Sequence, residues 1–216
     1  TTKTVKGFYA GNGIYKLRFL PQKNGLYQWK IRGIIEESGE CFCKSTKAKM
    51  QEGSLKERKH GLVRAEELHL IYEDGSLYVP VGTTVYALAH QPEPLIRQTL
   101  KTLSESPYNK LRWCVFPKSF SYNENEPEFY PFEKDENGKW DVHRPSIEFW
   151  EHFENILIEL ERMGIQSDII LFHPYDRWGF SEFTMEENFV YLEYVLRRLA
   201  AFPSVWWSMA NEYDMV

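Results

Sequence analysis

From residue 83 onward, short apolar segments alternate with amphipathic segments of helical spacing, and this alternation constrains the fold more than any other feature. The apolar segments are residues 83–89, 111–116, 169–172 and 205–208. The helical segments are residues 94–104, 146–163 and 184–200, of which the second can be capped by Ser146 and the third opens with the capping box Thr184-Met185-Glu186-Glu187. Strands that alternate with amphipathic helices predict an α/β fold with a parallel sheet and helices outside it.

Loop lengths distinguish the two architectures that fit this order, an open doubly wound sheet and a closed barrel. The loop that follows a helix is short, as at residues 201–204, whereas residues 117–145 follow a strand and form a long polar and aromatic loop. Long loops after strands are typical of the functional face of a (β/α)8 TIM barrel. A doubly wound enzyme would want a glycine-rich turn after the first strand, and residues 85–90 contain no glycine. Since a complete barrel needs about 250 residues, we expect the first half of a barrel here, with the chain ending inside it.

The sequence before the first predicted helix has the character of β-structure. Residues 7–20, 26–35 and 35–43 are rich in aromatic and β-branched residues, and Lys23-Asn24-Gly25 is a tight-turn signal between the first two segments. Residues 44–64 resemble a linker, and residues 68–72 and 77–81 predict a hairpin around Glu73-Asp74-Gly75. We therefore predict a partial β-sandwich with its linker at residues 1–64 and a half-barrel at residues 65–216.

Composition excludes several classes of function. The net charge is −5, and the basic stretch at residues 44–59 also contains Glu52 and Glu57, so a nucleic-acid partner is not expected. No apolar run approaches the length of a membrane span, and no membrane partner is expected. Of the three cysteines, Cys41 and Cys43 have no second ligand pair at a useful spacing, so we expect neither a metal nor another cofactor. An odd cysteine count favours a cytoplasmic location, with secretion open if a leader precedes residue 1.

Polar and aromatic residues gather where the predicted strands end. Arg112 lies in the second strand, His173 follows the third, and Asn211 and Glu212 follow the fourth. Such residues suit sugar chemistry, in which a carboxylic acid protonates the leaving oxygen, an amide holds a hydroxyl and aromatic rings stack on the sugar. The alternatives are a solvated loop position for Glu212, a structural role for His173 or Arg112, and a metal site formed by His173 with Asp176.

These residues resemble a known group of enzymes. Asn211-Glu212 after the fourth strand, with Arg112 in Leu111-Arg112-Trp113, resembles the clan A retaining glycoside hydrolases. The resemblance implies that Glu212 is the acid/base and that the nucleophilic glutamate, on the seventh strand, lies outside this chain. The chain is more closely similar to bacterial apiosidase-like, cellulase-related hydrolases with an N-terminal immunoglobulin-like domain. Residues 5–13 and 15–19 resemble that domain, residues 60–64 the junction, and residues 78–84 the first barrel strand.

The sequence thus predicts a retaining glycoside hydrolase that acts on plant or microbial oligosaccharides and polysaccharides, with Glu212 as its acid/base. On this interpretation the 216-residue chain alone is inactive. A non-catalytic carbohydrate-binding protein on a barrel scaffold is the alternative. The residues predicted to bind the sugar are Asn211, Arg112, His173, Trp178, Tyr213, Asp176 and Tyr86.

Overall fold

The computed structural model describes residues 2–33, 35–43, 60–121 and 123–215. The N-terminal strands are β1 (Phe8–Tyr9), β2 (Tyr15–Lys16), β3 (Gly25–Ile31) and β4 (Glu37–Cys43). They form two separate antiparallel pairs, β1 with β2 and β3 with β4. The chain reverses between β1 and β2 at Gly11, Asn12 and Gly13, which all have positive φ. This turn divides residues 7–20 into two short strands, and the sandwich stays a prediction.

A third antiparallel pair consists of β5 (Val63–Glu66) and β6 (His69–Tyr72). The predicted hairpin of residues 68–72 with residues 77–81 forms near its turn only. There the Tyr72 amide donates to Ser76 and the Tyr78 amide donates to Leu70, around the bridge between Ile71 and Leu77. The predicted domain boundary between residues 64 and 65 falls inside β5. Most of the predicted linker, residues 44–59, lies outside the described residues.

The rest of the chain forms a parallel sheet with helices between its strands. Its elements are β7 (Gly82–Thr84), α1 (Glu93–Ser104), β8 (Lys110–Cys114), β9 (Phe132–Lys134), β10 (Trp140–Pro145), α2 (Ile147–Arg162), β11 (Gln166–Phe172), α3 (Met185–Leu199) and β12 (Val205–Ala210). The sheet order is β7-β8-β11-β12, and every neighbouring pair is parallel. The predicted α/β fold with a parallel sheet is therefore confirmed, and closure into a barrel stays a prediction.

Two segments near this sheet differ from the sequence prediction. β7 ends at Thr84, and residues 88–90 form a short 3-10 turn instead of continuing the strand to residue 89. Leu88 and Ala89 are apolar because the turn itself is buried. The predicted long loop at residues 117–145 contains a hairpin, in which β9 and β10 flank the turn at residues 135–139.

The helices form where capping and apolar spacing agree. The Ser146 side chain accepts a hydrogen bond from the Phe149 amide at the start of α2, and Thr184 with Glu187 forms the predicted capping box of α3. The core lies between sheet and helices, where Trp113 of β8 stacks on Phe153 of α2 with ring centroids 4.2 Å apart. No helix in the described ranges is both long and apolar enough to cross a membrane.

The N-terminal segment packs on α2 and α3 through a buried ionic network. Arg18 donates to Glu154 of α2 at 2.5 and 2.8 Å and to the carbonyl oxygen of Arg198 at 2.5 Å. Arg198, which is only 1% exposed, donates to the same Glu154 carboxylate at 2.6 Å. Phe8 packs edge-on against Tyr194 of α3. The N-terminal segment thus contacts the outer face of α2 and α3, although these helices lie more than 100 residues later in the sequence.

Candidate functional site

The carboxyl ends of the four parallel strands meet at one edge of the sheet. The Cys114 amide donates to the carbonyl oxygen of Tyr86 at 2.9 Å, which joins the chain after β7 to the end of β8. The Asn211 amide donates to the carbonyl oxygen of Phe172 at 2.9 Å, which joins the ends of β11 and β12. This edge therefore brings the segments after all four strands together, as the sequence predicts for its candidate residues.

His173 is buried at this edge, directly after β11. Its Nε2 lies 3.2 Å from the carbonyl oxygen of Phe116. Burial lowers the pKa of His173, so the imidazole is neutral at neutral pH. A neutral ring that faces a carbonyl oxygen must carry its proton on Nε2, which leaves Nδ1 with a lone pair. Nδ1 is buried and has no partner among the described residues, so it is ready to accept a hydrogen bond.

Asn211 and Glu212 follow β12 at the same edge. Asn211 is buried, and its amide nitrogen Nδ2 has no hydrogen-bond partner in the described part of the chain. Glu212 is exposed and has a φ of 52°, a left-handed conformation that is uncommon for residues other than glycine. Tyr213 is 79% exposed and begins a short 3-10 turn. A donor amide and an exposed carboxyl group thus occupy successive positions.

Arg112 lies within β8, one strand away from His173. It is in register with Thr84 of β7 and with Asp168 of β11. Its Nε is buried, and no described residue accepts a hydrogen bond from it. Asp168 forms an ion pair with Lys110 at 3.0 Å. Asp168 is therefore not the acidic partner that a purely structural role of Arg112 would require.

The loop after β11 carries Asp176 and Trp178. Both carboxylate oxygens of Asp176 accept backbone hydrogen bonds at 2.7 Å, from the amides of Trp178 and Ser181. The Trp178 indole donates to the Glu126 carboxylate at 2.9 Å. The backbone carbonyl oxygen of Trp178 accepts from the Trp140 indole at 2.7 Å. Asp176 therefore fixes the conformation of the loop that holds Trp178 against the neighbouring loop after β8.

Lys118 is a residue of this edge that the sequence prediction missed. It is 3% exposed, and its ammonium lies 3.5 Å from the centroid of the Tyr86 ring. Its burial lowers the pKa of Lys118, while the negative charge of Glu212 acts in the opposite direction. The signal in the sequence is a single cation directly after the apolar run Val115-Phe116-Pro117.

The arrangement offers no metal centre within the residues that the structure describes. No group of three or more His, Cys, Asp or Glu side chains there is placed to hold a metal ion. Asp176, the second member of the His173–Asp176 metal alternative, has both oxygens engaged by backbone amides. The edge is instead a set of hydrogen-bond donors, one acceptor and one exposed carboxyl group, which suits a ligand with many hydroxyl groups.

Several solved structures are similar to this chain. The structure of a "putative glycoside hydrolase" from Bacteroides vulgatus ATCC 8482 is similar to the chain with a TM-score of 0.87 and 39% sequence identity. The match covers 98% of this chain and 43% of that one, so the chain spans less than half of that protein's length. A glycoside hydrolase family 5 structure from the same organism matches at a TM-score of 0.53 and 15% identity, over 71% of this chain and 34% of that one. A third structure, described as a glycoside hydrolase, matches at 0.52 and 14%, with the same coverage.

The sequence comparisons add one finding. A family model described as a domain of unknown function, DUF5060, matches residues 1–33. No curated protein has a matching sequence. The solved structure that matches nearly the whole chain is described as a putative glycoside hydrolase, and the two structures at 15% and 14% identity show a shared fold.

Proposed function

We propose that the chain is part of a retaining glycoside hydrolase in which Glu212 is the acid/base. One observation carries the proposal: Asn211 and Glu212 follow the last strand of a four-stranded parallel sheet, at the edge where His173 and the chain after β7 also lie. The similarity over 98% of the chain to a protein described as a putative glycoside hydrolase supports the same class.

The chemistry assigned to Glu212 requires access to a glycosidic oxygen. Its carboxyl group is exposed, so a bound sugar can reach it. In the first step Glu212 donates its proton to the leaving oxygen, and in the second it removes a proton from the attacking water. The second carboxylate, the nucleophile, is expected on a later strand of the complete barrel, about 5 Å from Glu212 as retention requires.

His173 and Asn211 are proposed to hold the sugar by its hydroxyl groups. A sugar hydroxyl both donates and accepts, so it suits the unpartnered acceptor Nδ1 of His173 and the unpartnered donor Nδ2 of Asn211. Both atoms are buried, so the sugar reaches them only when the side chains around them move. Leaving either buried group without a partner costs free energy, so sugar hydroxyls that engage these groups gain affinity and orientation. Arg112, Tyr86 and Tyr213 complete the proposed binding set, and Asp176 holds the loop with Trp178 in place.

The finer assignment is also a proposal. The Asn-Glu sequence after the fourth strand favours clan A and its apiosidase-like, cellulase-related members. The contact of Arg18 with Glu154 supports an N-terminal domain that is docked on the barrel helices. We propose an N-terminal domain at residues 1–64 and a half-barrel at residues 65–216, with plant or microbial glycans as substrates.

The test is Glu212→Gln in a polypeptide that joins this chain to the remaining barrel strands. Turnover of substrates with poor leaving groups should fall by about 100-fold or more, because general acid catalysis contributes about 10²–10⁴. Azide should partly rescue substrates with activated leaving groups, since it needs no general base to attack the glycosyl-enzyme. Glu105→Gln, an exposed position after α1, is the matched control and should leave turnover unchanged. Wild-type activity in the Glu212 variant would contradict the proposal.

A further inference from the structure

Lys118 is enclosed by aromatic rings from separate loops of the sheet edge. Its ammonium lies 3.5 Å from the ring centroid of Tyr86, 4.1 Å from that of Tyr175 and 4.4 Å from that of Phe120. Tyr86 follows β7, Phe120 follows β8 and Tyr175 follows β11. One side chain thus connects three of the four segments that form the candidate site.

The interaction that holds this cluster together is cation–π attraction. No carboxylate among the described residues forms an ion pair with Lys118. Burying an ammonium is costly unless other groups compensate, and ring faces within about 6 Å of the cation do so. An uncharged side chain such as methionine would fill the space without that cost. A gain in stability therefore does not explain the ammonium, and we interpret its role as ordering the aromatic rings around it.

The ordered rings lie beside the groups assigned to the sugar. Tyr175 is stacked on His173, with ring centroids 6.2 Å apart and planes at 29°. The charge of Glu212 acts on Lys118, and the charge of Lys118 acts on His173. Because the Tyr175 ring is stacked on His173, a shift of that ring would disturb the orientation of the imidazole.

We propose that Lys118 is a positioning residue, whose ammonium holds Tyr86 and Tyr175 as the aromatic wall of the sugar site. The inference rests on the proposed glycosidase function. A wall that contacts the sugar equally in the ground state and in the transition state contributes to KM, with little effect on kcat. A merely structural role would instead lower the active fraction, so that kcat falls while KM stays the same.

The kinetic test compares Lys118→Met, Lys118→Arg and the exposed α1 control Lys101→Met in a polypeptide with the complete barrel. The substrate is the glycan that the wild type cleaves fastest in a panel of plant and microbial glycans. Lys118→Met should raise KM by about tenfold, the equivalent of ~1.4 kcal/mol, with kcat within about threefold. Lys118→Arg should return KM to within about threefold of wild type, because a guanidinium also stacks on aromatic faces. Lys101→Met should change neither constant.

An unchanged KM in Lys118→Met, or equal defects in the Met and Arg variants, would overturn the positioning role. Glu212→Gln is assayed in parallel to separate the two proposals. Full activity of Glu212→Gln contradicts the proposed function. A loss in Glu212→Gln with an unchanged KM in Lys118→Met contradicts the role of Lys118 alone.

The enclosure itself is tested on the 216-residue chain by reductive methylation and peptide mass mapping. Lys118 should remain unmodified under conditions that methylate the exposed Lys101 completely. Equal modification of the two lysines in a chain whose circular dichroism shows it to be folded would mean that the rings do not enclose Lys118, and would overturn the proposal independently of any substrate.

Discussion

Glu212 combines an exposed carboxyl group with a strained backbone. Its φ of 52° brings Cβ too close to the backbone, at a cost of about 1–2 kcal/mol for residues with a side chain. Glycine removes that cost but also the carboxyl group. Glu212→Gly should therefore gain about 1 kcal/mol in free energy of unfolding and lose the proposed activity. The measurements are urea denaturation and glycan hydrolysis, both in a polypeptide with the complete barrel.

Glu67 provides the matched control for this prediction. It has a φ of 51° in the turn between β5 and β6, far along the chain from the candidate site. Glu67→Gly should gain a similar free energy and keep full activity. If Glu212→Gly is less stable than wild type while Glu67→Gly is more stable, the left-handed conformation of Glu212 is compensated by its surroundings and the strain argument is wrong.

At the scale of elements, the contact between the N-terminal segment and α2 depends on Glu154. Its carboxylate accepts from both Arg18 and the buried Arg198. Glu154→Ala should lower the free energy of unfolding of the 216-residue chain by about 3–5 kcal/mol, since it leaves a buried guanidinium without its partner. Urea denaturation followed by tryptophan fluorescence measures the change.

A surface pair gives the comparison for Glu154. Glu93 and Arg97 form an exposed pair one turn apart on α1, at 2.7 Å. Glu93→Ala should cost less than about 1 kcal/mol, because exposed ion pairs are worth little. Equal effects of the two alanine substitutions would show that the Glu154 network does not hold the elements together.

The elements that the sequence predicts best are those specified by local chemistry. The capping box at Thr184 and the cap at Ser146 place two helix starts correctly, and the helical spacing of apolar residues gives their lengths. Residues 88–90 misled the prediction because an apolar run is equally compatible with a buried strand and with a buried turn. The hairpin of β5 and β6 was missed because its two-residue turn, Glu67-Leu68, lacks the glycine or asparagine that usually marks such a turn.

The same distinction applies to the candidate site. His173, Asn211 and Glu212 could be predicted to share an edge, because parallel strands place their carboxyl ends together. The Lys118 cluster could not be predicted, since it depends on how three loops approach one another. The structural role of Asp176 is equally invisible in the sequence, where an aspartate after a strand resembles a ligand-binding residue.

The molecule as a whole should lose stability between pH 6.5 and 5 because it buries neutral histidines. Burial lowers the pKa of His90 to about 3, and it also lowers the pKa of His173. Below the unfolded value of about 6.5, the unfolded chain binds protons that the folded chain excludes. Folding stability therefore falls as the pH falls, by up to ~1.4 kcal/mol per pH unit for each such histidine.

His90→Gln isolates one of these histidines in the 216-residue chain. The Nε2 of His90 lies 3.1 Å from the carbonyl oxygen of Val115, and a glutamine amide can donate to the same oxygen without titrating. The slope of unfolding free energy against pH between 6.5 and 5, from urea denaturation at each pH, should be smaller in His90→Gln than in wild type. His143→Gln, at an exposed position in β10, should keep the wild-type slope. Equal slopes in all three proteins would mean that the folded chain protonates His90 as readily as the unfolded chain does. The burial of His90 against Phe149 and Val115 argues against that outcome.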